Sequence, residues 1–233
     1  MVLSQKPKEK SSLRISYPLS HCIYHWIDSR LLKVRNIDLL QNCIRKPRKT
    51  HSREHQVKLG TSIDLRSEEI NSRESFGHWE GDSVVGKEGK NSILTLVERQ
   101  TGYAFVLQTD SKTSASTFQS LALLKGRLSD CFDRIFHSIT FDNGAEFAAS
   151  EHFESLGPKI YYAHPYSAWE RGQNEQFNGM LRRFIPKGAD MASLTQKDLD
   201  RSAAFLNSLP RKSCHYFSPD VLFFERLSAI MSS

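Results

Sequence analysis

Three short apolar or alternating runs stand out along the chain: HWEGDSVVG (78–86), NSILTLVER (91–99) and GYAFVLQTD (102–110). They are separated by the glycine-bearing breaks Gly86-Lys87-Glu88-Gly89 and Gln100-Thr101-Gly102. Such runs between such breaks predict three antiparallel strands. Phe118, Leu121, Leu124 and Leu128 then recur at helical spacing, predicting a helix over 114–128. The run Ile135–Phe141 reads as a buried strand ending at Asp142-Asn143-Gly144. Residues 147–156 suggest a second helix, 159–163 a fifth strand and 173–184 a third helix. In that last helix Phe177, Leu181 and Phe184, with Met180 between, are expected to pack on the sheet. The order βββαβαβα predicts an α/β fold in which helices cover both faces of a mixed sheet. The apolar tail of 199–230 supplies a closing element for the sheet or for a second subunit.

Upstream the pattern changes. Ile23, Trp26, Ile27, Leu31 and Leu32 predict a short amphipathic helix within 20–40, and residues 46–75 are polar and charged without apolar periodicity. The chain therefore divides into a basic arm and linker over 1–75 and a folded domain over 76–233. Charge sharpens the division. Residues 1–60 hold 13 Lys/Arg against 4 Asp/Glu, whereas the rest holds 19 against 22. The run Arg45-Lys46-Pro47-Arg48-Lys49 suits phosphates, whose neutralisation releases condensed counterions, so Arg45, Lys46, Arg48 and Lys49 are candidate DNA contacts; a solvated linker remains the alternative. The four cysteines form no CxxC pair, and no run reaches the 18 apolar residues of a membrane span. A protein of the cytoplasm with no membrane partner is expected. His51 and His55 lack a second pair of metal ligands, and no role is assigned to them.

Three acids fall where this order would unite them: Asp82 inside the first strand, Asp142 at the end of the fourth and Glu175 early in the third helix. A carboxylate on a core strand is costly unless paired or metal-bound, and α/β sheets gather ligands at the carboxyl ends of their strands. Each acid has a plainer reading. Asp142-Asn143-Gly144 can be a turn, Glu175 can complement a helix dipole, and Asp82 can be an incidental pair partner. Taken together, hard oxygen donors suit Mg²⁺ or Mn²⁺, and two such ions can serve in-line attack at phosphorus. Arg171, Arg182, Arg183 and Lys187 surround Glu175 with positive charge, and Asn178 and Gly179 share its helix face. All of these except Gly179 are candidate DNA contacts.

The strings GHWEGDSVVG (77–86), ILTLVERQTGY (93–103), TFDNGAEF (140–147) and HPYSAWERGQNEQFNGMLRRFIPKGAD (164–190) resemble the catalytic core of bacterial insertion-sequence transposases of the IS-thirty family. That resemblance implies a ribonuclease-H-like integrase core with a DDE site of Asp82, Asp142 and Glu175. It further implies about two divalent ions, DNA as partner at both transposon ends and target, and an oligomer on DNA. Trp169, Gly172 and Asn174 match the last motif and are expected to shape the site, with Asn174 contacting DNA. Segment 23–75 is similar to the linker that precedes the core in this family, a remnant of its DNA-binding region, and the chain looks shortened ahead of it. The implied activity is DNA cleavage followed by strand transfer. The alternative is a truncated, non-catalytic DNA-binding relic.

Overall fold

The structure, a computed structural model, describes residues 20–35, 38, 60–86, 91–165 and 167–232. The chain forms two compact units, Met1–Glu54 and His55–Ser233. In the first, α1 spans Ser20–Asp28, with Arg30 in the left-handed region at φ 58°. The predicted amphipathic helix is thus cut short. Leu31 and Leu32 lie beyond it, Ile23 and Trp26 are exposed, and only Ile27 is buried.

In the second unit a five-stranded sheet runs in the order β3-β2-β1-β4-β5: β1 His78–Val85, β2 Ser92–Glu98, β3 Ala104–Thr109, β4 Ser138–Phe141 and β5 Lys159–Tyr162. The first three strands pair antiparallel, whereas β4 runs parallel to both β1 and β5. Trp79 packs on one face of the sheet with Leu121 and Leu124 of α3 (Ser114–Leu128), Phe132 of α4 (Asp130–Ile135), Phe153 of α5 (Ser150–Glu154) and Phe223 of α8 (Pro219–Met231). Val84 packs on the opposite face with Phe177 and Leu181 of α6 (Gly172–Leu181) and Leu199 and Leu206 of α7 (Gln196–Asn207). Two-residue alternation puts Glu80 and Asp82 on the α6 face with Val84.

The edge of β3 is closed by side-chain amides from α7. Asn207 exchanges two hydrogen bonds with the backbone of Ala104, and Gln196 meets Gln108 N and Val106 O. A blunted edge resists pairing with another chain. Residues 60–75, which the sequence pattern leaves in the linker, pack on the body. Ser62 bridges to Tyr162, α2 spans Glu68–Ser72, and Ile63 and Ile70 are buried.

Several boundaries differ from the sequence pattern. Ile135 ends a helix, because Phe132, Ile135 and Phe136 recur at i, i+3 and i+4, and β4 starts only at Ser138. The helix expected over 147–156 shrinks to a 3₁₀ turn, Ala145–Phe147, followed by α5. The third helix stops at Leu181, so Phe184 is 45% exposed against Phe205 and Ile185 takes the core position. Tyr162 of β5 is buried, its hydroxyl donating to Phe147 O.

Candidate active site

The parallel register explains why two of the acids meet. His78, Trp79 and Glu80 pair with Ser138, Ile139 and Thr140, and the same offset carried two residues further reaches Asp82 and Asp142 at the carboxyl end of β4. Gly81 permits the close approach. A Cβ there would stand 2.2 Å from the ring of Phe141, the residue before Asp142.

Between the two carboxylates lies the guanidinium of Arg171, from the 3₁₀ turn Ala168–Arg171 that leads into α6. Its Nη1 is 3.3 Å from Asp82 Oδ1 and its Nη2 3.3 Å from Asp142 Oδ2, while Nη1 also donates to Gly81 O. The Asp82 carboxyl sits above its ordinary range because burial opposes its charge; Arg171 pulls it down and Asp142 pushes it up. Asn178 donates to Asp82 Oδ2 at 2.7 Å. Asp142 makes the turn of its plainer reading, Oδ1 accepting the Gly144 N–H, while Oδ2 faces Arg171.

Two clefts open on either side of Arg171. One, of about 310 Å³, is lined by Asp82, Arg171, Glu175, Asn178, Arg182 and Lys187, among others. The second, of about 450 Å³, holds Asp142, Asn143, Gly144, Glu146, His164 and Lys112, and again Arg171. Glu175 is exposed on α6 and faces the first cleft. The three acids therefore belong to one region but do not form a closed cage. Among the described residues no three His, Cys, Asp or Glu side chains gather closely enough to hold an ion. In kind the donors suit a hard divalent cation: two aspartates already drawn to one positive group, a glutamate lining the adjoining cleft, and the buried Asn178 Oδ1, which lacks a hydrogen-bond partner.

Of the other candidates, Arg183 and Lys187 are exposed, and Arg182 is half-buried with Nη2 donating to Val85 O. Asn174, expected to contact DNA, is instead fully buried. Its backbone N–H donates to Glu80 Oε2 and its Oδ1 accepts from the Thr95 hydroxyl, so it joins α6 to the sheet. The basic run Arg45, Lys46, Arg48 and Lys49, like His51 and His55, lies outside the described residues, as does the Trp169 side chain.

Two features escape the sequence reading. Glu80, fully buried, pairs with Arg99 at 2.5 Å and accepts the third N–H of α6, so it aims the helix that carries Glu175 and Asn178. Its signal was visible, since Glu80 shares a strand face with Asp82. Glu146 pairs with Lys112 beside Asp142. His164 lies between Glu170 (2.8 Å) and Asp64 (3.0 Å), and its hydrogen bonds to Glu170 and then Asp64 raise its pKa. His78, half-buried against Ser138, is lowered to about 4 by burial and then by His137, Arg99 and Arg66.

The chain is 40% identical over 209 residues to a probable transposase for insertion-like sequence element IS1161 of Streptococcus salivarius, covering 88% of this chain and 58% of that protein. It is 36% identical over 224 residues to transposase InsI for insertion sequence element IS30C of Escherichia coli K12, covering 92% and 56%. The chain thus spans a little over half the length of these relatives. Its fold is similar to that of the catalytic core domain of BIV integrase, with a TM-score of 0.50 at 18% identity, over 66% of this chain and 98% of that domain. No protein-family model matches.

Proposed function

From a chain that belongs to the IS30 family of insertion-sequence transposases, we propose the activity of a polynucleotidyl transferase that cuts a transposon end and joins the freed 3′ hydroxyl to target DNA. The observation that carries the reading is the meeting of Asp82, inside β1, with Asp142 at the carboxyl end of the adjacent parallel strand β4, with Glu175 lining the adjoining cleft on a helix that Glu80 caps. Asp82, Asp142 and Glu175 would hold Mg²⁺ or Mn²⁺. Bound there, such ions supply Lewis-acid activation of an attacking hydroxyl and neutralise charge on the leaving oxygen.

The protein's own residues do the rest. Asn178 fixes one oxygen of Asp82, leaving the other to face inward. The Gly144 N–H holds Asp142 in the same way through Oδ1. Arg182 and Lys187 line the first cleft and Lys112 the second, giving a strand cations on both sides of the acids. The reaction is an in-line substitution at phosphorus. Water forms the new P–O bond as the bond to the 3′ oxygen breaks, and that 3′ hydroxyl then attacks a target phosphate, expelling the target strand's own 3′ oxygen.

The test is incubation of labelled DNA bearing candidate inverted repeats with the protein and Mg²⁺ or Mn²⁺. The wild type is expected to cleave, and Glu175→Gln to lose at least about a hundred-fold in rate, the scale of one removed charge-stabilising group. Equal cleavage by both would overturn the assignment of Glu175. If neither cuts DNA yet both shift it in a gel, the non-catalytic DNA-binding reading replaces this one.

A further inference from the structure

We propose that Arg171 is a placeholder cation: its guanidinium holds Asp82 and Asp142 before a divalent ion arrives, yields them when the ion binds, and then turns to a backbone phosphate. The inference rests on the metal-site reading above and deepens it. One guanidinium spans both aspartates at 3.3 Å and also donates to Gly81 O. It forms a wall of both clefts, and so stands between Asp82 and Glu175 on one side and Asp142 on the other. The described residues contain no ready three-acid metal cage, and the positive charge between the aspartates is that of Arg171.

Two carboxylates brought together with no cation between them would repel, and a planar fork matches two oxygens at once. The placeholder therefore holds the two aspartates side by side without ions. The contact is also weak enough to give way: both distances exceed those of a tight charge-assisted hydrogen bond, and Asp142 remains 40% exposed at its side chain. Arg171 lies at the amino end of α6, in the 3₁₀ turn between Ser167 and Gly172, from which the released side chain faces either cleft. Ion loading and DNA contact are thereby coupled through one residue.

Reciprocal coupling gives the test. Mn²⁺ affinity without DNA, measured by electron paramagnetic resonance titration, is expected to tighten at least about five-fold in Arg171→Gln, because a competitor has gone. Arg171→Lys, which keeps the charge but loses the fork, should tighten it less. DNA affinity, measured with and without Ca²⁺, should show a salt slope that steepens with Ca²⁺ in the wild type. The increment is about 0.9, that of one phosphate contact, and Arg171→Gln should lack it. Unchanged or weaker Mn²⁺ binding in folded Arg171→Gln would overturn the placeholder while leaving the metal site intact, provided Asp142→Asn still weakens binding. If the wild type takes up no Mn²⁺, or Asp82→Asn and Asp142→Asn bind it as the wild type does, the metal-site reading itself fails and the placeholder with it. If Arg171→Gln does not fold, the wild type alone decides. Its guanidinium ¹⁵N signal should pass from slow to fast hydrogen exchange on adding Mg²⁺, and an unaltered signal in Mg²⁺-saturated protein would contradict release.

Discussion

Gly81 shows how much of the site depends on one missing methyl group. Its neighbour Phe141 is fully buried, stacked on Phe147 at 4.3 Å, and directly precedes Asp142. Gly81→Ala should force that ring aside, costing about 1–3 kcal/mol in urea unfolding. Any nuclease activity should fall too, because Asp142 moves with Phe141. A stability change below about 0.5 kcal/mol would mean that the ring has free space after all. At this scale the acids were legible in the sequence, because a carboxylate in an apolar strand and an Asp-Asn-Gly at a strand end are conspicuous locally. The partners were not. That Arg171 spans two aspartates from strands 60 residues apart, or that Asn174 turns inward to Thr95, depends on tertiary packing, which no local pattern encodes.

Among the elements, α6 depends most on a single contact. Its amino end is held by Glu80, whose charge is balanced by Arg99 in a pair almost wholly removed from water. Glu80→Ala should destabilise the protein by about 3–5 kcal/mol, since it strands a buried guanidinium, whereas Glu80→Leu combined with Arg99→Met should cost less than the single change. Chemical denaturation of the two variants beside the wild type checks the order. The strands β1 to β3 and helix α3 were readable because their patterning and breaks agree. The α4–β4 junction was not, since an apolar run of this length satisfies helix and strand alike until the parallel pairing with β1 selects Ser138–Phe141. The end of α6 failed for a related reason. Phe184 keeps the helical spacing, but the chain turns after Leu181 and Ile185 reaches the core first.

For the whole molecule, two histidines set a pH window. His164 has its pKa raised by Glu170 and Asp64, so its contribution is complete below the ordinary value of 6.5 and is lost as pH rises through the raised value. His78 is lowered to about 4 and stabilises the fold only when neutral, so its contribution is lost as pH falls from 6.5 towards 4. Thermal unfolding should therefore show a maximum between these limbs. His164→Gln should flatten the alkaline side and His78→Gln the acid side, and an unchanged profile in both variants would refute the assignment.

Whether Asp82, Asp142 and Glu175 share divalent ions can be read from anomalous scattering by crystals grown with Mn²⁺. Manganese peaks are expected in contact with all three carboxylates, with the Arg171 guanidinium moved away from Asp82 and Asp142. Manganese bound elsewhere, or Arg171 still bridging the aspartates with Glu175 turned to solvent at saturating Mn²⁺, would contradict it.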